Sequence, residues 1–378
     1  MSESLPIPHH PLDILLPPPN TSPTPHALHM LEKLCDNLCS ENEIFSITFS
    51  PVLCPVPVKG GGGKNQLFTI KPHWWQNKDG KWEWRDGQRN PECARPQGQV
   101  QLEKFSKTIQ LLSLGAAHFS DNELKTTCVK KIENLLNVFF LDPETRMEPQ
   151  VRFSQCHPGE EPVKGNDQFV IAIRSIILTD QSLNLIRDDI NVDILKDVEN
   201  WIKEQLDWVR SSEQGMKAKN SPKPLWYNVI LSSHLHFIQD SNRLTCAGTA
   251  LQGWIDTHPL PEDSFMLELI HDNRRHRCLF TLEPLFILAS LASDDTKPQS
   301  DILEYLKGCV GFVKTVVKGP IESPKEDDVR YLAKIAWLER LIDSWENEDN
   351  GSNDSSEPEG RGWEGDWDDR MKMLWGFI

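Results

Sequence analysis

From Gln101 onward the apolar residues recur at intervals of three and four, the period that turns one stripe of a helix toward a core. Ala27 to Ser40 reads as a first such helix, carrying Leu28, Leu31, Leu34, Cys35 and Leu38. Ser120 and Glu123 have the spacing of a capping box, and Leu124, Cys128, Ile132, Leu135, Leu136 and Phe139 follow at helical spacing. The same period runs through Ile194, Val198, Trp201, Ile202 and Leu206, and through Ile302, Leu306, Val310, Val313 and Val317. A last stretch holds Val329, Leu332, Ile335, Ala336 and Ile342. Strand-like alternation is scarce. The pattern predicts an all-α domain of eight or more helices, each of roughly 12 to 20 residues. No short repeat with a signature is visible, which argues against a simple solenoid. Helical hairpins closing into an (α/α) toroid would gather the long loops at one rim, and a cleft would form there.

The ends of the chain read differently. Residues 1–26 are rich in Pro, Ser and His and are expected to be a poorly ordered N-terminus ahead of a domain over 27–345. Glu346 to Gly362 is dense in Gly, Ser, Asn and acid, a linker composition. Beyond it Trp363, Trp367, Met371, Leu374 and Trp375 recur about four apart. The segment 346–378 therefore reads as an acidic linker and a terminal amphipathic helix, which either docks on the core or meets a protein partner through 363–378.

Charge and composition narrow the function. The net charge of −16 is concentrated: Asp343 to Asp369 hold eleven acidic residues and one basic, which leaves the body only mildly acidic. Nucleic acid is not an expected partner, whereas a polyanionic sugar is compatible. No run approaches about 18 apolar residues, so no membrane partner is expected. The first residues lack a basic n-region and are broken by proline, so no secretory signal is expected. Nine cysteines without a CxxC pair fit reduced thiols and a cytoplasmic location, with export by a non-classical route left open. Gly60 to Gly63 precede Lys64, but the glycines are consecutive and no GK[ST] follows, so a flexible linker is expected rather than a phosphate loop. His234 and His236 are two apart and point to different sides of a helix, so no metal and no cofactor are expected.

Two loops carry the chemistry. KPHWWQNKDGKWEWRDGQRNPE, Lys71 to Glu92, places Trp74 beside Trp75 and brings Arg85 close behind. FLDPETRMEPQVRFSQCHPG, Phe140 to Gly159, follows a long helix and ends in Gln155 and His157. Aromatic faces stack on pyranose rings and planar donors grip carboxylates, so the two loops suit a sugar-binding cleft. Trp74 and Trp75 are either sugar platforms or core anchors, and Gln155 and His157 either line a site or stabilise a turn.

In order and content these loops resemble the alginate lyase domain family, polysaccharide lyases built on an incomplete (α/α) toroid forming one large domain. The family's Tyr-Trp-Trp-Pro loop is matched by His73-Trp74-Trp75-Gln76, and its Arg-Asp-Gly…Asn-Pro-Glu segment by Arg85 to Glu92. Phe140 to Met147 matches the family's Phe-Leu-Asp-Pro-Glu-Thr-Arg-Met, with Gln155 and Pro158-Gly159 after it. Trp226-Tyr227 and Leu282 to Phe286 fall at suitable separations, so the resemblance covers about residues 45 to 295. Two departures stand out. Where the family has Asn-Asn-His-Gly, this chain has Asn220-Ser221-Pro222-Lys223-Pro224, without the histidine. The family's Arg…Ser…Tyr arrangement falls on His271 to Arg277, with Arg277 at the tyrosine and His271 at the arginine.

The resemblance implies cleavage or binding of a uronate polysaccharide. Uronate lyases work by β-elimination: a donor neutralises the carboxylate, a base removes the adjacent proton, and an acid protonates the departing glycosidic oxygen. It implies Tyr227, His271, His276 and Arg277 as catalytic candidates. Trp74, Trp75, Arg85, Gln155, His157, Asn220, Trp226 and Arg274 become binding candidates, with Asn220 and Arg274 or Arg277 on the carboxylate. The departures leave a second expectation, a family member without elimination chemistry that binds carbohydrate or a protein. Plain structural readings stand beside both: Tyr227 as a buried aromatic at a helix start, and the run to Arg277 as a solvated basic face.

Overall fold

The computed structural model describes residues 23–85, 88–221, 224–270, 274–292, 298–319 and 327–346. The N-terminal segment 1–22, His271 and the tail from 347 lie outside the described residues. Contacts divide the described residues into two compact units, one built on Cys35–Asp240 and the other on those from Ser241 to Glu346 with those up to Leu34. Twelve α-helices and four short strands occur among the described residues.

In the first unit the helical period is realised as α2 (Gly98–His118), α3 (Asn122–Leu136), α5 (Ile176–Leu185), α6 (Val192–Ser211) and α8 (Leu225–Phe237), with the short α4 (Phe169–Ile173) and α7 (Glu213–Lys219) between them. The preceding α1 (Pro25–Ser40) contributes its last turn to this unit. Helix α2 packs on α3 and α5, and α8 on α5 and α6. Their shared core is aromatic. Phe105 stacks on Phe139 at 4.2 Å, Phe140 meets both edge-on, and Trp201 lies 4.5 Å from Phe140. The three phenylalanines have at most 1% of their surface exposed, which makes this cluster the unit's main apolar anchor.

Capping follows local chemistry, with one correction. The cap of α3 is Asp121, whose Oδ1 accepts from the N–H groups of Glu123 and Leu124; the expected Ser120 is not the cap. Asn191 caps α6 in the same way. The glycine run also differs from expectation. Gly60 closes a short 3₁₀ turn, Gly61 has φ +80° and Gly63 φ +121°. A Cβ on Gly62 would sit 2.0 Å from the Val56 carbonyl oxygen. The run is a tightly packed turn, not a slack linker.

Two short strand pairs complete this unit. Strands β1 (Phe68–Ile70) and β4 (Phe153–Cys156) pair in parallel, Phe68 opposite Phe153 and Ile70 opposite Cys156. Strands β2 (Trp74–Gln76) and β3 (Trp82–Trp84) form an antiparallel hairpin. Its turn is set by Asn77, whose Oδ1 accepts from the Asp79 and Lys81 N–H groups, and by Gly80 at φ +75°.

In the second unit α9 (Arg243–Thr257), α10 (Arg274–Leu291), α11 (Ser300–Lys318) and α12 (Asp327–Glu346) pack in sequence, α10 against α9 and α11, and α11 against α12. A polar chain pins the α9 end: Trp254 donates to Ser264, and Tyr305 donates to the His258 carbonyl oxygen at 2.8 Å. No helix among the described residues is long and apolar enough to cross a membrane.

Candidate functional site

The two signature loops are built first as scaffolding. After α3 the chain makes a π-turn over Asn137–Leu141, and Asp142 then organises the Pro143–Met147 turn. Its carboxylate accepts from the Glu144 N–H and its carbonyl from those of Thr145 and Arg146. Asn65 clamps this turn from outside through the Arg146 carbonyl at 2.6 Å, and Trp201 clamps it from inside through that of Met147 at 2.7 Å. This clamped turn leads the chain into β4. Asn90 clamps the hairpin. It caps the Pro91–Ala94 turn, with Pro91 and Glu92 in the favoured first positions, and donates to the Trp74 carbonyl at 2.8 Å.

Parallel pairing sets the ends of β1 and β4 side by side. Lys71 follows β1 and donates its N–H to the Cys156 carbonyl oxygen, and His157 follows β4. The hairpin lies against them. Trp74 is 4.5 Å from the His157 ring, and Trp82 stacks on the same imidazole at 5.3 Å and 23°. The Lys71 ammonium stands over the Trp74 ring at 4.8 Å. Lys71, Trp74, His157 and Trp82 thus form one cationic-aromatic cluster.

Cross-strand alternation separates the two adjacent tryptophans. Trp74 pairs with Trp84 and Gln76 with Trp82, which puts these four on one face of the hairpin. Trp75 and Glu83 take the other face. There the Arg85 guanidinium covers the Trp75 ring at 5.0 Å and pairs with Glu83, while the Trp75 indole donates to the Gln88 carbonyl. Trp74 and Trp75 are not one platform. Trp74 belongs with Lys71 and His157, and Trp75 with Arg85.

Gln155 is buried and lies at φ +59°, a left-handed conformation that costs a non-glycine residue energy. It is held there from both sides: its N–H donates to Thr69 Oγ1 at 2.7 Å, and its carbonyl accepts from the Asn166 side chain at 2.5 Å. This kink turns the chain so that His157 faces the hairpin.

The electrostatics of the cluster follow from burial. His157 Nδ1 lies 3.4 Å from the Glu160 carboxylate, and its Nε2 is shielded with no hydrogen-bond partner. Burial, and next the Lys71 charge, hold the imidazole below its ordinary 6.5, against the pull of Glu160. The ring is therefore neutral near pH 7. Lys71 is 8% exposed and burial lowers its ammonium, with Asp167 and Glu160 opposing. The neighbouring Cys156 thiol is pushed up to about 12 by burial, so it carries no charge that would pair with Lys71. Among the described residues no hydrogen bond or ion pair reaches Lys71 Nζ. Lys71 and Trp82 escaped the sequence reading. The Asp79-Gly80 turn between alternating aromatic segments was the available hairpin signal for Trp82.

The remaining candidates have surroundings of their own. Trp226 and Tyr227 open α8, each 3% exposed, with Arg174 over the Trp226 ring at 5.7 Å. Asn220 ends a short helix, Glu213–Lys219, and donates back to the Met216 carbonyl. In the second unit Arg274 is exposed at the start of α10. His276 lies 6.2 Å from Phe280, and Arg277 lies 3.8 Å from the buried Glu268 carboxylate. His234, set aside as a ligand, is wholly buried between Asp180 and Gln205. Among the described residues no three His, Cys, Asp or Glu side chains converge to hold a metal ion.

Among solved structures, the crystal structure of an alginate lyase from Bacteroides ovatus superposes with a TM-score of 0.67 at 19% identity, over 85% of this chain and 87% of that one. At that identity the likeness gives the fold class, the all-α toroid of helical hairpins expected from the sequence. Comparison with curated proteins finds no match. The family model described as alginate lyase matches residues 57–308, a span that takes in the hairpin, the Asp142 turn, Gln155, His157 and the start of α10. With two thirds of its length matched, the chain belongs to the alginate lyase family.

Proposed function

We propose that this protein binds a uronate-containing polysaccharide of the alginate type on the Trp74 face of the hairpin and cleaves it by β-elimination. The observation that carries the reading is the cluster of Trp74, Trp82, His157 and Lys71 at the ends of β1 and β4, in a chain of this family. Indole faces suit pyranose C–H surfaces, and a cation beside them suits a carboxylate. In the elimination, withdrawal of charge from the carboxylate acidifies the neighbouring C–H. A base takes that proton, its electron pair becomes the new C=C bond, and the glycosidic C–O bond breaks as the leaving oxygen is protonated. Tyr227, His276 and His271 are the proposed proton carriers, and Asn220, Arg274 and Arg277 the proposed carboxylate partners, all by their family positions. His271 lies outside the described residues.

A second reading, binding without cleavage, is favoured by particular observations. Tyr227 is buried, Arg277 is drawn toward Glu268, and Asn220 is followed by Ser221 and Pro222 where the family has its histidine. Incubation with alginate and glucuronan separates the readings. Elimination creates an unsaturated uronate, so cleavage raises ultraviolet absorbance, and Arg277→Ala lowers the rate. Saturable binding without that rise supports the second reading. Neither binding nor absorbance change would end both.

A further inference from the structure

An ammonium group largely enclosed by protein, with no carboxylate bonded to it, is an incomplete arrangement. Transfer of a charge from water is costly unless hydrogen bonds or an opposite charge replace the hydration. Lys71 is more than nine-tenths buried, yet its described contact is only the face of Trp74 at 4.8 Å. Asp167 and Glu160 act on it from beyond ion-pairing distance. Glu160 is directed to His157, and Cys156 is a neutral thiol. The chain supplies alternatives cheaply elsewhere: Lys64, Lys125 and Lys217 each have a carboxylate within 2.9 Å. The Lys71 backbone is fixed by its bond to Cys156, and Asn90 holds the Trp74 backbone through the Pro72 and Trp74 carbonyls. The ammonium thus stands beside an aromatic platform, without a hydrogen bond or ion pair from the described residues.

The geometry points to Lys71 as the residue that holds the carboxylate of an acidic sugar stacked on Trp74, and so sets the preference for uronates over neutral sugars. This rests on the uronate reading above, and adds a specificity residue at a position that the sequence motifs do not mark. A carboxylate oxygen takes the place of the lost water and makes a charge-assisted bond to Nζ. A neutral hydroxymethyl group in place of the carboxylate can accept one hydrogen bond but brings no opposite charge to Lys71. Discrimination then arises from the charge-assisted bond to Nζ that only the acidic sugar can make.

The test uses the full chain and two pairs of probes: glucuronan oligosaccharides with their carboxyl-reduced counterparts, and free glucuronate with methyl glucoside. By calorimetry, Lys71→Met is expected to weaken the acidic oligosaccharide by about ten-fold or more, against less than about two-fold for the reduced one. Lys71→Arg should restore much of the acid preference, and Trp74→Ala should weaken both sugars alike. In the wild type, the Lys71 side-chain resonance, assigned by its absence from Lys71→Arg, should respond to glucuronate and not to methyl glucoside. An unchanged acid-to-neutral ratio in Lys71→Met, or a Lys71 signal unmoved while the acidic oligosaccharide binds, overturns the assignment and leaves the uronate reading standing. If no oligosaccharide binds, the uronate reading falls, and the glucuronate arm alone decides: a response retains Lys71 as a carboxylate site, and no response removes it. The Trp201 indole signal, bonded to Met147, reports that each variant is folded.

Discussion

Helices α5, α6 and α8 are tied together by one buried polar network, and breaking it should cost the first unit a large share of its stability. Asp180 Oδ2 accepts from His234 Nδ1 at 2.7 Å and from Ser233 Oγ at 2.8 Å, while His234 Nε2 meets Gln205 Oε1 at 2.9 Å. Gln205 in turn donates to the Pro149 carbonyl, on the segment that leads into β4. Asp180 and Ser233 are 1% exposed and His234 and Gln205 wholly buried, so no water stands ready to replace a lost partner. Asp180→Leu strands a hydroxyl and a ring N–H. At about 1–3 kcal/mol for each of these two buried groups left without an acceptor, the loss is about 2–6 kcal/mol. Domains have about 5–15 kcal/mol in total, so the variant should unfold at clearly lower denaturant. His234→Leu should cost a similar amount by leaving the Asp180 carboxylate with Ser233 alone. The double variant, which removes both polar partners, should fall short of the sum by about 2 kcal/mol or more. Urea titration followed by tryptophan fluorescence measures all three. A loss below about 1 kcal/mol for Asp180→Leu, or additive losses, would refute the claim that the network is a coupled, water-free unit.

Other expectations follow from the same geometry. Trp74→Ala should weaken an oligouronate by roughly 1–3 kcal/mol by calorimetry, the scale for a stacked aromatic; an unchanged affinity would move the site off this face. Gly62→Ala should destabilise by roughly 1–3 kcal/mol in thermal melts, because its Cβ would meet the Val56 oxygen at 2.0 Å. Gly253→Ala, with open space around its Cβ, should show no loss. His157 should titrate below 6.5 by NMR, since burial and the Lys71 charge both favour the neutral ring. The unfolded ring binds its proton at the higher pH, so this contribution is whole above pH 6.5 and is lost as pH falls through the folded value. Lys71→Met should raise that midpoint, and a midpoint unmoved by the substitution would separate the two residues.

The helices were legible because their signal is local. Val198, Trp201, Ile202 and Leu206 bury one face of α6 at the spacing that the sequence displays. The α3 cap was misread by one residue, since Ser120 and Asp121 are both capping residues and only the backbone decides between them. The site was half legible. Trp74, Gln155 and His157 stand out by type, but their meeting depends on parallel pairing of Ile70 with Cys156, a contact across a long stretch of chain that no local pattern encodes. Lys71 was missed for the same reason. In KPHWW it reads as a solvated loop lysine, and only the β1–β4 pairing buries it. Gln155 carries no sign of its positive φ, because that strain is imposed by Thr69 and Asn166 from outside.

The most direct measurement follows the indole N–H signals of the protein's thirteen tryptophans during titration with a glucuronan or alginate oligosaccharide. If an acidic sugar lies on the hairpin face that holds Lys71 and His157, the Trp74 and Trp82 signals move saturably while those of the internal Trp201 and Trp254 stay in place. Signals that all remain still, or that move only away from Trp74 and Trp82, would contradict a sugar site on this face.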